Sequence, residues 1–259
     1  MLESWPPMKL TILGSGTGAP NGERNSAGFF VETADARVML DIGAGTLHAL
    51  ARWGLPWERM THLFVSHFHV DHIGELASLF FALRHGLRTA RSEPLTVIGP
   101  RGLDRVITGL KQGFGSSLFD TSFPVEVRIL APGELVNLGP DSTLSVAKTP
   151  HTDESLAVRI NSGARSLCYT GDTGYSAELA DFFSETDLLI SECSFRERRE
   201  GVAHLSIEDA ARIAAQAKAA RLVVTHFYFE VNDEELKRDL QQYYRGEVLI
   251  GRDGLSIQF

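Results

Sequence analysis

Several things are scarce in this 259-residue chain, and each scarcity narrows what it can be. It has two cysteines, Cys168 and Cys193. Each sits in an apolar run that reads as a core strand, so free thiols packed as small core side chains are expected rather than a disulfide. No uninterrupted apolar run approaches the ~20 residues that a membrane-spanning helix needs, so no membrane partner is expected. The opening Met1 to Pro7 has neither a basic cluster nor an apolar stretch, unlike a secretion signal, and a cytoplasmic location is the expectation that follows. Cationic excess is missing as well: 25 Lys and Arg face 33 Asp and Glu, a net charge of −8. That sign does not favour a long nucleic-acid backbone as the main ligand. The glycines of Gly14-Ser15-Gly16-Thr17-Gly18 lack G-x-G-x-x-G spacing, and Pro20 blocks a helix start where a phosphate would need one. That segment reads as a tight loop beside a pocket.

Apolar residues, at 43%, suffice for one sizeable core, so a single α/β domain over residues 9–259 is expected behind a short extension, residues 1–8. The chain is organised around His62-Leu63-Phe64-Val65-Ser66-His67-Phe68-His69-Val70-Asp71-His72. Leu63 to Val65 is short, apolar and partly β-branched, as a buried strand should be, and the sequence turns polar after Ser66. Backbone leaving a strand points alternate side chains one way. His67 and His69 can therefore reach one ion, while Asp71 and His72, on the following turn, reach a second. Imidazole suits zinc, and imidazole with carboxylate suits zinc, manganese or iron.

Other strands repeat this pattern of a polar residue at an apolar strand's end. Lys9 to Leu13, Gly28 to Glu32 and Arg37 to Asp41 read as strands, and Thr46 to Trp53 as a helix ended by Gly54-Leu55-Pro56. Asp41 either caps the next segment or orients a metal-bound histidine through its second ring nitrogen. Gly74 to Gly86 and Leu103 to Leu110 read as helices, Leu95 to Pro100 and Val125 to Leu130 as strands, and Gly113 to Pro124 as an aperiodic, mobile loop with apolar surface to cover, expected to pack against the domain, with a pocket lid as the alternative. Leu144 to Lys148 leads to His151. Ser166 to Thr170 leads to Asp172, Leu188 to Cys193 contains Glu192, and Leu222 to Thr225 leads to His226. Ile207 to Ala217 carries a helical apolar stripe, with Ser206 as N-cap and Asp209 three residues later. Alternating strands and helices with polar groups at one sheet edge are what a layered α/β enzyme provides.

The ordered set His67, His69, Asp71, His72, His151, Asp172 and His226 resembles the metallo-β-lactamase superfamily, whose fold is a four-layer αββα sandwich. Gly14-Ser15-Gly16-Thr17, Pro94 to Pro100, Ser191-Glu192-Cys193-Ser194-Phe195 and Ala203-His204-Leu205-Ser206 are similar to its ribonuclease Z-like branch. The resemblance implies two divalent metal ions, zinc first and manganese or iron otherwise. It puts His67, His69 and His151 on one ion, Asp71, His72 and His226 on the other, and Asp172 between them. It also implies that His204 donates a proton to the leaving group, and relatives in the branch are often homodimers; Glu192, and Asp41 in its orienting reading, are the expected supporting carboxylates.

One departure weighs against a transfer RNA substrate. Bacterial enzymes of that type insert a long basic arm between the positions of His151 and Asp172. Here the interval reads as a hairpin, Leu156 to Ile160 and Ser166 to Thr170 around Asn161-Ser162-Gly163. The remaining basic stretches, Arg84 to Arg91 and Arg196 to Arg199, are short and interrupted, too few for salt-dependent binding of a long RNA. Two ions ~3.5–4 Å apart can share a water and hold it as hydroxide. Asp71 would orient that nucleophile, and a protonated His204 would serve an alkoxide leaving group. The expected function is therefore a dinuclear hydrolase, a phosphodiesterase on small or cyclic phosphodiesters. The alternatives are an arm-less transfer RNA 3'-processing endonuclease, a lactone or thioester acyl hydrolase on the same fold, and a metal-stabilised binding protein without hydrolytic activity.

Overall fold

The computed structural model describes residues 7–89 and 91–259, whose strands form two seven-stranded sheets. The first runs Ser256–Gln258 (β14), Lys9–Gly14 (β1), Gly28–Glu32 (β2), Arg37–Leu40 (β3), His62–Phe64 (β4), Leu95–Gly99 (β5), Val125–Ile129 (β6). The second runs Glu247–Ile250 (β13), Arg221–Thr225 (β12), Leu188–Glu192 (β11), Arg165–Tyr169 (β10), Leu156–Ser162 (β9), Ser142–Lys148 (β8), Leu135–Asn137 (β7).

Each sheet passes from antiparallel to parallel pairing. β1 to β3 form an antiparallel meander and β3 to β6 run parallel. Likewise β7 to β10 are antiparallel and β10 to β13 parallel. Parallel neighbours need crossovers, which helices supply. In the first sheet these are α1 (Thr46–Arg52), α2 (Val70–Ile73), α3 (Leu76–His85) and α4 (Leu103–Phe114). In the second they are α5 (Ala177–Phe182), α6 (Ile207–Gln216) and α7 (Asp233–Leu240).

Strand periodicity sorts the apolar side chains into three layers. Leu10, Ile12, Phe29, Val38 and Phe64 meet Val146, Val158, Leu167 and Ile190 between the sheets. Phe30, Met39, Leu63 and Val97 turn outward onto Leu50, Leu79, Phe80 and Leu103 of the helices. Cys168, Leu189, Leu222 and Val224 do the same beneath Leu179, Ala210, Ile213 and Leu236. This is the expected αββα sandwich. Phe64 is fully buried between the sheets one residue before the site begins, and Phe64→Ala should cost about 3–5 kcal/mol.

Several details depart from the sequence reading. Residues 113–124 are not an open loop: α4 continues through Gly113 to Phe114 and a 3-10 turn covers Ser116–Phe119. Leu118 and Phe123 are buried and the Phe119 ring lies 4.1 Å from Phe80, so apolar burial orders a stretch without periodicity. The β9–β10 turn is also tighter than expected. Asn161 and Ser162 stay in the strand, Ser162 pairs with Arg165, and Gly163 takes the left-handed conformation (φ 55°) that a two-residue hairpin needs. Strands β7 and β14, three residues each, are too short for alternation to register. Of the expected N-terminal extension, residues 1–6 lie outside the described residues. Met8 is fully buried and exchanges backbone hydrogen bonds of 2.9 and 3.0 Å with Phe259. Among the described residues no helix is long and apolar enough to cross a membrane. Cys168 and Cys193 are free and buried, and burial pushes both thiols up, Cys168 to about 11.

Candidate metal centre

Ligands of α/β sheets gather beyond the carboxyl ends of parallel strands, and the polar residues of this chain do so. β3 delivers Asp41, β4 delivers Ser66 to His72, β10 Asp172, β11 Glu192 and β12 His226. His151 follows β8. Asp41 (φ 55°) and His226 (φ 63°) adopt left-handed backbone on leaving their strands, as does Gly171 (φ 56°) just before Asp172. Such strain in side-chain-bearing residues persists only where surroundings enforce it. The close approach of two strand exits also needs glycine: a Cβ on Gly43 would lie 2.0 Å from the Asp71 carbonyl oxygen. Glu75 then binds this region to α1, accepting from Gly45 N–H (2.9 Å) and Leu47 N–H (2.7 Å) at a helix start that has no capping side chain of its own.

Two groups of donor atoms result. His67, His69, His151 and Asp172 form one, each with an atom within 4.8 Å of the others; Asp71, His72 and His226 form another. Asp172 faces both. Its Oδ2 lies 3.7 Å from His67 Nε2 and 3.8 Å from His151 Nε2, while its Oδ1 lies 3.2 Å from His72 Nε2 and 3.5 Å from His226 Nε2. Asp71 Oδ2 closes the second group at 3.4 Å from His226 Nε2 and 3.8 Å from His72 Nε2. His151 Nε2 meets His69 Nδ1 at 3.2 Å in the first.

The outward ring nitrogens are bound, which turns the inward ones toward the centre. Asp41 Oδ2 lies 2.7 Å from His72 Nδ1. Ser66 Oγ lies 3.0 Å from His67 Nδ1 and the Ala203 carbonyl 2.8 Å from His151 Nδ1. His67 Nε2 and His72 Nε2 are fully buried and have no hydrogen-bond partner. Buried polar nitrogens are seldom left so; two of them aimed at a shared carboxylate fit divalent cations. Charge agrees. Burial, helped by the charge of His72, holds His67 well below the usual imidazole range, neutral and able to ligate. Burial opposes protonation of His72 too, yet Asp172 and Asp41 outweigh it and push its pKa up. Carboxylates that draw a proton to that nitrogen will draw a metal cation as well. Asp172, despite burial, is held well below the carboxylate range by His226 and His72.

His204 stands at the rim. Its Nδ1 lies 3.0 and 3.1 Å from the two oxygens of Glu192, and its ring stacks near His226, centroids 5.7 Å apart. Asp172, His204 and His226 also form a third group of donor atoms. The His204 nitrogen nearest Asp172, at 4.0 Å, is however Nδ1, the one committed to Glu192, so its lone pair is not available to an ion. Burial lowers the proton affinity of His204, but the hydrogen bond and charge of Glu192 more than restore it. Glu192 in turn accepts Thr173 N–H (2.6 Å), Ser194 Oγ–H (2.6 Å) and Leu205 N–H (3.1 Å).

The glycine-rich loop lies beside the centre: Ser15 O accepts His226 N–H at 2.9 Å. Of Phe227, Tyr228 and Phe229, Tyr228 faces the site, its ring 5.6 Å from His226 and 6.1 Å from His204. Phe227 is core. Tyr169 was not visible as a functional residue. Its hydroxyl crosses from the second sheet to donate to Asp41 Oδ2 at 2.8 Å, but an aromatic in an apolar strand carries no mark of that. Ser66 and Ser194 were equally silent.

An αββα sandwich with this histidine and carboxylate cluster defines a metallo-hydrolase of the metallo-β-lactamase fold. Within that class, the profile of the family described as Anti-Pycsar protein Apyc1 matches residues 8–247, and the chain belongs to that family. It is 29% identical to Probable metallo-hydrolase YhfI of Bacillus subtilis, across 95% of this chain and 98% of that protein. The crystal structure of that metallo-beta-lactamase fold protein matches with a TM-score of 0.85 at 27% identity, across 98% of this chain and 100% of the other. Ribonuclease Z of Bradyrhizobium diazoefficiens is 28% identical, across 88% of this chain and 92% of that protein. The short form of human tRNase Z shares the fold (TM-score 0.78, 23% identity, 96% of this chain and 98% of that one). The ribonuclease Z-like kinship holds, and the chain is a metal-dependent hydrolase.

Proposed function

We propose that this hydrolase is a two-metal phosphodiesterase acting on a small or cyclic phosphodiester. The observation that carries the reading is His204, held on Glu192 at 3.0 Å at the edge of the cluster with its proton affinity raised. In this reading His67, His69, His151 and Asp172 hold one ion and Asp71, His72, His226 and Asp172 the other. Zinc is proposed first, then manganese or iron. Such ions supply Lewis acidity and a nucleophile drawn from water at neutral pH. Asp71, partly exposed beside the cluster, orients the attacking water. His204, its Nδ1 fixed by Glu192, gives the proton on its other nitrogen to the departing oxygen. An alkoxide needs that proton far more than a thiolate does, which ranks phosphodiesters above thioesters.

Size supports the same choice. The His151 to Asp172 interval is the short β9–β10 hairpin, with no arm. Arg91 is buried and spends its guanidinium on the carbonyls of Glu58, Met60, Glu93 and Pro94. Arg196 pairs with Glu235 and Arg198 with Asp209. Those three arginines are therefore engaged within the fold rather than arrayed for a polymer. A cleft of about 370 Å³ lined by Phe195, Arg196, Arg199, Tyr228 and Phe229 adjoins His204 through Phe195 and Tyr228.

The zinc-loaded protein should hydrolyse bis(p-nitrophenyl) phosphate and a cyclic nucleotide. His204→Ala should slow the substrate with the alkoxide leaving group by about 10²–10⁴-fold and the nitrophenyl ester much less. Equal losses on both would remove His204 from the donor role. Turnover of lactones where every phosphodiester fails would put acyl hydrolysis first. Cleavage of precursor transfer RNA with small phosphodiesters untouched would restore the endonuclease.

A further inference from the structure

Ser194 takes no part in the chemistry above, yet it is fully buried and its hydroxyl meets three functional side chains. Oγ lies 2.6 Å from Glu192 Oε2, 3.0 Å from His226 Nδ1 and 3.4 Å from His204 Nδ1. A hydroxyl has one proton to give. Donated to the carboxylate, the strongest acceptor present, it leaves Oγ to accept the Nδ1–H of His226. That fixes the His226 tautomer with its lone pair on Nε2, the nitrogen 3.4 Å from Asp71 Oδ2 and 3.5 Å from Asp172 Oδ1.

The first sheet carries a counterpart. Ser66 Oγ donates to Asp41 Oδ2 at 2.7 Å and lies 3.0 Å from His67 Nδ1. Each sheet thus has a carboxylate, serine and histidine in series, and each carboxylate also holds a second histidine directly.

We propose that Ser194 is a positioning residue that sets the His226 ring through Glu192. It thereby ties loading of the second ion to the same carboxylate that orients His204. The inference rests on the two-metal reading. Ser194 O also accepts Tyr228 N–H at 3.1 Å, a backbone contact that an alanine would keep, so the hydroxyl can be tested by itself.

The test is zinc titration of chelator-treated protein, read by native mass spectrometry and by Tm with and without zinc. Wild type should bind two zinc ions. Ser194→Ala should keep one tight ion and bind the other about 10–100-fold more weakly, and Ser194→Thr should restore it. Ser66→Ala should weaken one ion as well, and the double variant should keep no tight ion, because the serines serve different sites. A wild type that binds one zinc overturns the two-metal reading and the inference with it. Two ions in wild type and undiminished affinity in Ser194→Ala overturn the inference alone. So does equal weakening of both ions, or a fall in metal-free Tm that accounts for the loss, since either assigns Ser194 to packing.

Discussion

At the candidate centre each sheet has a buried carboxylate that holds both a serine and a histidine, Asp41 in the first and Glu192 in the second, wired alike but ending on different groups. Asp41, beyond β3, accepts Ser66 N–H (2.7 Å), Ser66 Oγ–H, Tyr169 Oη–H and His72 Nδ1–H. Glu192, at the end of β11, accepts Thr173 N–H, Ser194 Oγ–H, Leu205 N–H and His204 Nδ1–H. Around Asp41 every partner is buried, and the free nitrogen of His72 is enclosed by Asp71 and Asp172. On the Glu192 side His204 keeps 15% of its side chain exposed. In the proposed reading, the same carboxylate and imidazole pair serves a metal ligand where the second nitrogen is enclosed by anions, and a proton donor where that nitrogen is left at the rim.

Four substitutions would break or sharpen this contrast. The largest effect belongs to Asp41→Ala, which strands His72, Ser66 and Tyr169 in a sealed interior. Breaking a buried pair of this kind costs about 3–5 kcal/mol, to be read by chemical denaturation of metal-free protein. Zinc content should fall at the same time, and a variant that folds and binds zinc normally would dissolve the contrast. His204→Ala comes next and is the opposite case: zinc content and stability should hold while kcat falls for poor leaving groups.

Glu192→Gln tests the cause of the His204 shift. The donor must be protonated, and its pKa lies above the ordinary 6.5 because Glu192 outweighs burial. The kcat of wild type on an alkoxide leaving group should therefore decline as pH rises through that raised pKa, at higher pH than an ordinary imidazole would give. Removing the carboxylate charge leaves burial dominant, so the declining limb should move to lower pH. A limb that stays in place would deny Glu192 its role. The linkage to stability has the same sign: binding this proton stabilises the fold most below the unfolded pKa, and the gain is lost as pH rises through the folded one. The smallest effect is expected from Ser206→Ala. It removes the capping box of α6, which follows the loop carrying His204, and should cost about 1 kcal/mol by denaturation with zinc content unchanged.

Legibility in the sequence followed the kind of interaction. The His67 to His72 density, the strands leading to His151, Asp172 and His226, and the Ser206 cap all show as residue type at a local spacing. α7 also leaves a local trace, Asn232 accepting from Glu235 N–H ahead of an acidic first turn and a basic last one. α5 is a six-residue helix whose N-cap Ser176 makes no side-chain cap bond, so it had little to show. The packing of residues 113–124 is legible in their phenylalanines, but their local helical turns are not, because apolar side chains without periodicity take a defined conformation only once a surface exists to cover them.

Ligand chemistry, strand and helix periods, the scarcity of cysteine, and the lack of cationic excess and long apolar runs are properties of single residues or short windows. These were enough, by themselves, to determine the fold class, the metal-binding character and the family resemblance. Tertiary structure alone decided that Asp41 orients His72, 31 positions away, that Tyr169 reaches Asp41 across 128 positions, and that Ser194 stands between Glu192 and His226. Hydrogen bonds between distant strand ends depend on sheet order and on the backbone twist at each exit. The left-handed turns at Asp41 and His226 that aim those groups inward are stable only once both sheets are packed.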